Sequence, residues 1–229
     1  MKNFFTCFLR FYALMLIATS TSILAQANEP TSPYLAPREL IVLKSGLDRI
    51  YGTYVLAVIH RGTNPQELSF PIQLPKETID FQPMEGLEPQ DFVITGNSLA
   101  VKKTFNPGVQ VLSITFMLPA DSGSGGLTLT PPRDVPEFIV MTPRGLMELS
   151  SNMLVSQGFD QQDNQIYQVF SLNAPLKQNQ PLSMTLSGIP QGRKNLWIIG
   201  SVFIVALSIA SGYFAYRTRS SETREPAYV

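Results

Sequence analysis

Between Arg38 and Pro190 short apolar runs alternate with polar residues at a period near two. Pro, Gly and Asn interrupt them roughly every eight to twelve residues, which predicts β-strands joined by turns. Glu39–Lys44 is the first run. Ile50–His60 is longer and apolar on both faces, with Tyr54, Leu56 and Val58 on one and Val55, Ala57 and Ile59 on the other, as a central strand covered on both sides requires. Glu67–Leu74 and Thr78–Gln82 follow. Asp91–Thr95 and Ser98–Lys103 flank Gly96-Asn97, a two-residue hairpin turn. Val109–Leu118 puts Leu112, Ile114, Phe116 and Leu118 on one face. Beyond the loop Pro119–Gly126 come Leu127–Thr130, Glu137–Thr142, Leu146–Leu149 and Gln165–Leu172, the last preceded by the polar loop Asp160–Asn164. In Pro181–Ser187, Leu182, Met184 and Leu186 alternate with Ser183, Thr185 and Ser187. No amphipathic helix of useful length interrupts this series. The expectation is an all-β chain of one or two antiparallel β-sandwich lobes, residues 38–119 and 120–190.

Two apolar stretches at the ends break the period. Leu196–Tyr216 contains no charged residue. As a helix it would span about 30 Å at ~1.5 Å per residue, the thickness of a bilayer's hydrocarbon core. Trp197 stands near one end, Tyr213 and Tyr216 near the other, where amphipathic rings settle. Residues 196–216 are therefore expected to form one C-terminal transmembrane α-helix, and 217–229 a short tail. Ser208 and Gly212 form a small-xxx-small pair that would let another helix approach closely. At the other end, Lys2 and Arg10 precede the apolar run Phe11–Leu24, and Ala25-Gln26-Ala27 has the form of a cleavage site. Residues 1–27 thus read as a signal peptide, the alternative being an uncleaved second span. Cys7 lies before the apolar run, where it is not placed to take a lipid. The Pro-rich segment 28–37 reads as a flexible lead-in.

Charge and composition narrow the function. Residues 28–195 carry twelve Lys/Arg against fifteen Asp/Glu, a net of −3 with no basic stripe, so nucleic acid is not an expected partner. The one cysteine, Cys7, leaves with the signal, so the mature domain must be held by its apolar core without disulfides. There is also no Asn-x-Ser/Thr acceptor. Both features fit a bacterial envelope, with the bulk of the chain exported to the periplasm and anchored in the inner membrane.

Candidate chemistry is sparse. His60 is the single histidine, and neither a Ser-His-Asp triad nor a metal site is signalled around it. Gly123-Ser124-Gly125-Gly126 lacks the strand–helix setting of a phosphate loop. Asp80, Glu85, Glu88 and Asp91 are close in sequence, as are Asp160 and Asp163. Paired carboxylates serve glycosidases and calcium sites, but no Asp-x-Asp-x-Asp loop is present, and a solvated acidic rim is the expectation. Tyr34, Phe81, Phe92 and Tyr167 could stack on sugars, or more simply fill the core. No catalytic, cofactor-binding or metal residues are assigned.

The order of turns and strand ends carries a resemblance. His60-Arg61-Gly62, Leu74-Pro75, Glu85-Gly86-Leu87, Phe105-Asn106-Pro107-Gly108, Leu118-Pro119, Thr142-Pro143-Arg144-Gly145, Tyr167 and Leu186-Ser187-Gly188-Ile189-Pro190 follow one another across residues 38–190. The series resembles a family of uncharacterised bacterial exported β-sandwich proteins with one C-terminal membrane helix. Some of that family sit beside cytochrome c biogenesis components or carry a carboxypeptidase-regulatory-like domain, which this sequence lacks. The resemblance implies a fold and a location and brings no site residues. The expected function is a non-catalytic, membrane-anchored binding or assembly accessory with a protein partner in a membrane complex. The alternatives are a carbohydrate or cell-wall binding module and a carboxylate-based hydrolase.

Overall fold

The computed structural model describes residues 32–192, apart from residue 163. The expected signal peptide 1–27, the start of the expected lead-in, the apolar stretch 196–216 and residues 217–229 lie outside the described residues. Among the described residues no helix is long and apolar enough to cross a membrane.

The fold is all-β. In chain order the strands are β1 (Tyr34–Leu35), β2 (Arg38–Ser45), β3 (Arg49–His60), β4 (Gln66–Gln73), β5 (Asp80–Pro83), β6 (Phe92–Thr95), β7 (Ser98–Phe105) and β8 (Gly108–Pro119). They continue with β9 (Ser124–Leu129), β10 (Glu137–Pro143), β11 (Glu148–Ser150), β12 (Leu154–Gln162), β13 (Gln165–Leu172) and β14 (Leu182–Ser187). A large sheet runs β12-β13-β10-β2-β3-β8-β5, with β1 added alongside β3. Two small sheets, β4-β7-β6 and β11-β14-β9, complete the described strands.

The long apolar runs form the middle of the large sheet. β3 and β8 pair along their whole length, from Arg49↔Pro119 to His60↔Gly108. A strand with partners on both sides satisfies all its backbone groups internally, so a run apolar on both faces is stable only there. Tyr54, Leu56 and Val58 join Leu112, Ile114, Phe116 and Leu118 in the main core. Phe70 and Ile72 of β4, Leu99 and Val101 of β7, and Leu182, Met184 and Leu186 of β14 belong to the same core. This is a sandwich-like arrangement of one large sheet against two small ones. On the other face of the large sheet Leu40, Val42, Val55, Met141 and Tyr167 make a second, smaller apolar cluster. The Gly96-Asn97 hairpin joins β6 to β7 as expected, with Gly96 at a φ of 58°.

Three features differ from the strand pattern. The stretches 38–119 and 120–190 do not part into separate sheets, because β10 lies beside β2 in the large sheet. That pair is parallel, not antiparallel: Glu137 to Met141 match Arg38 to Val42 in order, and Arg38 and Glu137 form an ion pair at its start. Parallel partners need a long crossover, so local turn signals cannot announce them. Tyr34–Leu35, read as lead-in, instead pairs with Val58 and Ile59, and Leu35 packs on the core. Finally, β12 covers a stretch with no predicted strand. Its sequence, LVSQGFDQQ, is polar, exposed on both faces beyond Leu154, and broken by a bulge between Ser156 and Gly158.

Candidate functional site

The most concentrated polar chemistry in the domain surrounds Glu39. This residue sits near the start of β2, between Arg38 and Leu40, and the pleat turns its side chain inward to 2% exposure. Two donors meet it. The Tyr54 hydroxyl, on the adjacent β3, donates to Oε2, and the Arg133 guanidinium, from the loop before β10, donates to Oε1. Arg133 Nη1 also donates to the Pro71 carbonyl of β4 at 3.2 Å. The Tyr54 ring packs edge-on to Phe138, 6.3 Å between centroids. Phe138 is the register partner of Glu39 across the parallel pair.

Burial pushes the Glu39 carboxyl above its ordinary 4.5, and Arg133 and the Tyr54 hydrogen bond pull it part of the way back. Burial and the neighbouring carboxylate hold the Tyr54 phenol well above its ordinary 10.0. Each carboxylate oxygen already has a donor. The cluster therefore clamps β2, β3, the pre-β10 loop and β4 together. The loop is fixed at its other side by Asp134, which accepts from the Gln178 backbone N–H at 2.8 Å and from Lys177 at 3.2 Å. Those two contacts hold its carboxyl below the usual range.

An open hollow of about 340 Å³ lies where the Pro119–Gly126 segment meets β14. Glu77, Asp121, Ser124 and Thr185 line it. Glu77 Oε2 accepts the Thr128 backbone N–H at 2.7 Å, and the Asp121 carbonyl accepts Ser124 N–H and Oγ at 3.0 and 3.1 Å. Glu77 and Asp121, 44 positions apart in the chain numbering, both line the hollow.

The residues singled out by sequence fall in different places. His60 is buried at the end of β3, its Nε2–H donating to the Asn64 carbonyl at 2.7 Å and its Nδ1 accepting from Gly62 N–H at 3.4 Å. Both ring nitrogens serve the turn that follows. Glu88 and Asp91 cap the 3₁₀ turn Pro89–Asp91. Burial raises the Asp91 carboxyl, but Lys103 and the Glu88 N–H outweigh it and hold the group below its usual value. Asp80 is exposed on β5, Glu85 N–H donates to Ser113 Oγ, and Asp160 accepts from Gln162 at 3.0 Å. Asp163 lies outside the described residues. Among the described residues no group of three or more His, Cys, Asp or Glu is placed to hold a metal ion. Phe81 and Phe92 pack on the main core, Tyr167 is buried in the second cluster, and Tyr34 is half-buried on β1. Gly123–Gly126 runs from a turn into β9.

Sequence reasoning passed over the Glu39 clamp and the β12 edge. A carboxylate in register with Ile41 and Leu43 on the inward face of β2 was the available signal for the first. The second is one of the two outer strands of the large sheet and pairs, among the described residues, with β13 alone. It carries Val155 and Phe159 exposed to solvent, with Ile166 exposed on β13 beside it. The Arg144 guanidinium lies 4.3 Å above the Phe159 ring.

The sequence matches no protein-family model and no curated protein. Distant structural likenesses exist. One is an M1 zinc metallopeptidase from Deinococcus radiodurans, with 13% identity, 66% of this chain and 41% of that chain covered, and a TM-score of 0.37. Another is a Legionella pneumophila protein proposed to bind nutrients, with 10% identity, 69% and 68% coverage, and a TM-score of 0.39. The chain thus spans less than half the length of the peptidase it is similar to.

Proposed function

We propose that this chain is a non-catalytic, single-pass membrane protein of the bacterial envelope, whose all-β domain is exported and acts as a binding or assembly accessory. Residues 1–27 would direct export, and 196–216 would anchor the domain in the inner membrane. The observation that carries the binding part is the edge position of β12, which pairs with β13 alone among the described residues. An outer strand offers unpaired N–H and C=O groups, and a partner strand or loop can use them. Val155, Phe159 and Ile166 add exposed apolar contact beside that edge. The bulge at Gly158 and the charge of Asp160 limit how long a strand can add, which favours a specific partner over indiscriminate pairing.

A photo-crosslinking amino acid at Val155 or Phe159 tests this in intact cells. The expected result is a discrete protein adduct at both positions and none at exposed Val109, at the far end of β8. Equal labelling at all three positions, or none, would contradict it. The cell-wall alternative predicts that the protein co-sediments with purified peptidoglycan instead. The carboxylate-hydrolase alternative has one foothold, the Glu77/Asp121 hollow. It requires that Glu77→Gln and Asp121→Asn abolish a measurable hydrolysis while the β12 crosslinks persist.

A further inference from the structure

The chain leaves the domain at one end of the large sheet, and that end is closely tied. β2 and β10 run parallel and both finish there, leading into the turns around Leu47 and Leu146. β3 begins and β8 finishes at the same end. The exit segment 188–190 passes between those two turns. The Pro190 carbonyl accepts Asp48 N–H at 3.0 Å, and Ile189 N–H donates to the Gly123 carbonyl at 3.1 Å. A Cβ on Gly188 would stand 3.7 Å from the Leu146 carbonyl. Each turn presents an exposed leucine, Leu47 at 63% and Leu146 at 52%. Next to the second turn, Arg144 N–H donates to the Ile166 carbonyl at 2.9 Å, so exposed Ile166 belongs to the same end.

We propose that this end of the domain rests on the lipid surface, with Leu47 and Leu146 seated at the boundary between headgroups and acyl chains. The inference rests on the reading of 196–216 as a membrane span. Leu196 follows Pro190 by six residues, at most about 20 Å of extended chain, so the exit cannot stand far from the bilayer. The Asp48–Pro190 hydrogen bond ties the Leu47 turn to the exit, and Gly188 lies against the backbone of the Leu146 turn, so both turns stay beside the exit. Leucine gains by leaving water for that boundary, and turn tips can enter it without exposing strand edges to hydrocarbon. The nearby charges are mixed, with Arg49 and Arg144 against Asp48, Glu148 and Asp160. Charges of both signs border the turns, so a zwitterionic bilayer tests the apolar contact by itself.

The test uses the full chain with Cys7→Ser, reconstituted in zwitterionic phosphatidylcholine nanodiscs. Nitroxide labels are placed singly at Leu47→Cys, Leu146→Cys and Val109→Cys. Val109 lies at the opposite end of β8, about 30 Å away at ~3.3 Å per residue. All three positions are exposed, so labelling leaves the core intact, and far-UV circular dichroism checks the fold. Quenching of Trp197 by bromolipids reports separately on the anchor. The expected result is Trp197 quenched, with loss of collisions with water-soluble nickel and gain of collisions with oxygen at 47 and 146 relative to 109. Trp197 quenched with all three labels equally open to nickel would overturn the lipid contact and leave the anchor standing. Trp197 unquenched would overturn both.

Discussion

Glu39 and Arg133 lie 94 residues apart in the chain and meet as an ion pair at the margin of the core, with the Glu39 side chain 3% exposed and Arg133 26%. Removing the cation would strand a buried carboxylate with the Tyr54 hydroxyl as its remaining donor. Arg133→Met is expected to cost about 2–4 kcal/mol, toward the lower end for broken buried pairs because the guanidinium reaches solvent. Glu39→Gln keeps an acceptor for Tyr54 and should cost less. Urea unfolding of the two full-chain variants, followed by far-UV circular dichroism, gives the order directly. A larger loss for Glu39→Gln would show that the clamp is misread.

The same residue sets a pH dependence. The folded-state pKa of Glu39 lies above its ordinary 4.5, so the folded protein holds that proton more tightly than the unfolded chain. The associated stabilisation is fully present below pH 4.5 and is lost as pH rises through the folded value. In Glu39→Gln that loss should vanish, and the difference in stability between variant and parent should change with pH only above about 4.5. A constant difference from pH 4 to 8 would contradict the assignment.

Asp91 works in the opposite sense. Lys103 and the Glu88 N–H hold its carboxyl below the ordinary 3.8, so its contribution is present above pH 3.8 and lost as pH falls through the folded value. Lys103→Met should therefore weaken the protein at neutral pH and converge with the parent in acid. Thermal melting at pH 7 and pH 3 measures both limbs.

What the sequence revealed follows from the range of each interaction. The β3 and β8 runs, the Gly96-Asn97 hairpin and the alternation in Pro181–Ser187 were legible because strand period and turn chemistry are local. The parallel β2–β10 pair was not, since nothing in Arg38–Ser45 encodes a partner nearly a hundred residues away. The Glu39 clamp was missed for the same reason: its three members come from β2, β3 and a distant loop. β12 was hidden by its composition, because an edge strand exposed on both faces needs no apolar alternation. His60 was correctly expected at the end of a buried strand, and its two local hydrogen bonds explain its burial.

Gly52 faces Phe116 across the β3–β8 pair, and a Cβ at Gly52 would stand 2.1 Å from the ring. Phe116 is 2% exposed, so Phe116→Ala is expected to cost about 3–5 kcal/mol. Gly52→Ala should cost about 1–3 kcal/mol by displacing the ring, and much less once the ring is gone. A double-mutant cycle by urea unfolding would expose strict additivity, which would contradict this packing.

Thr142 is fully buried, and its Oγ1 has no hydrogen-bond partner among the described residues. An unpaired buried hydroxyl costs about 1–3 kcal/mol, so Thr142→Val, which keeps the shape, should raise the melting temperature. A lower melting temperature would mean that the hydroxyl is satisfied in solution.

Export and anchoring together fix the side of the membrane on which the β domain lies. Spheroplasts of cells expressing the full chain with a C-terminal tag can be treated from outside with protease. The predicted result is digestion of residues 28–195, with a small tagged fragment containing 196–229 left protected. A β domain that stays intact until the membrane is broken by detergent would contradict the proposed export and anchoring.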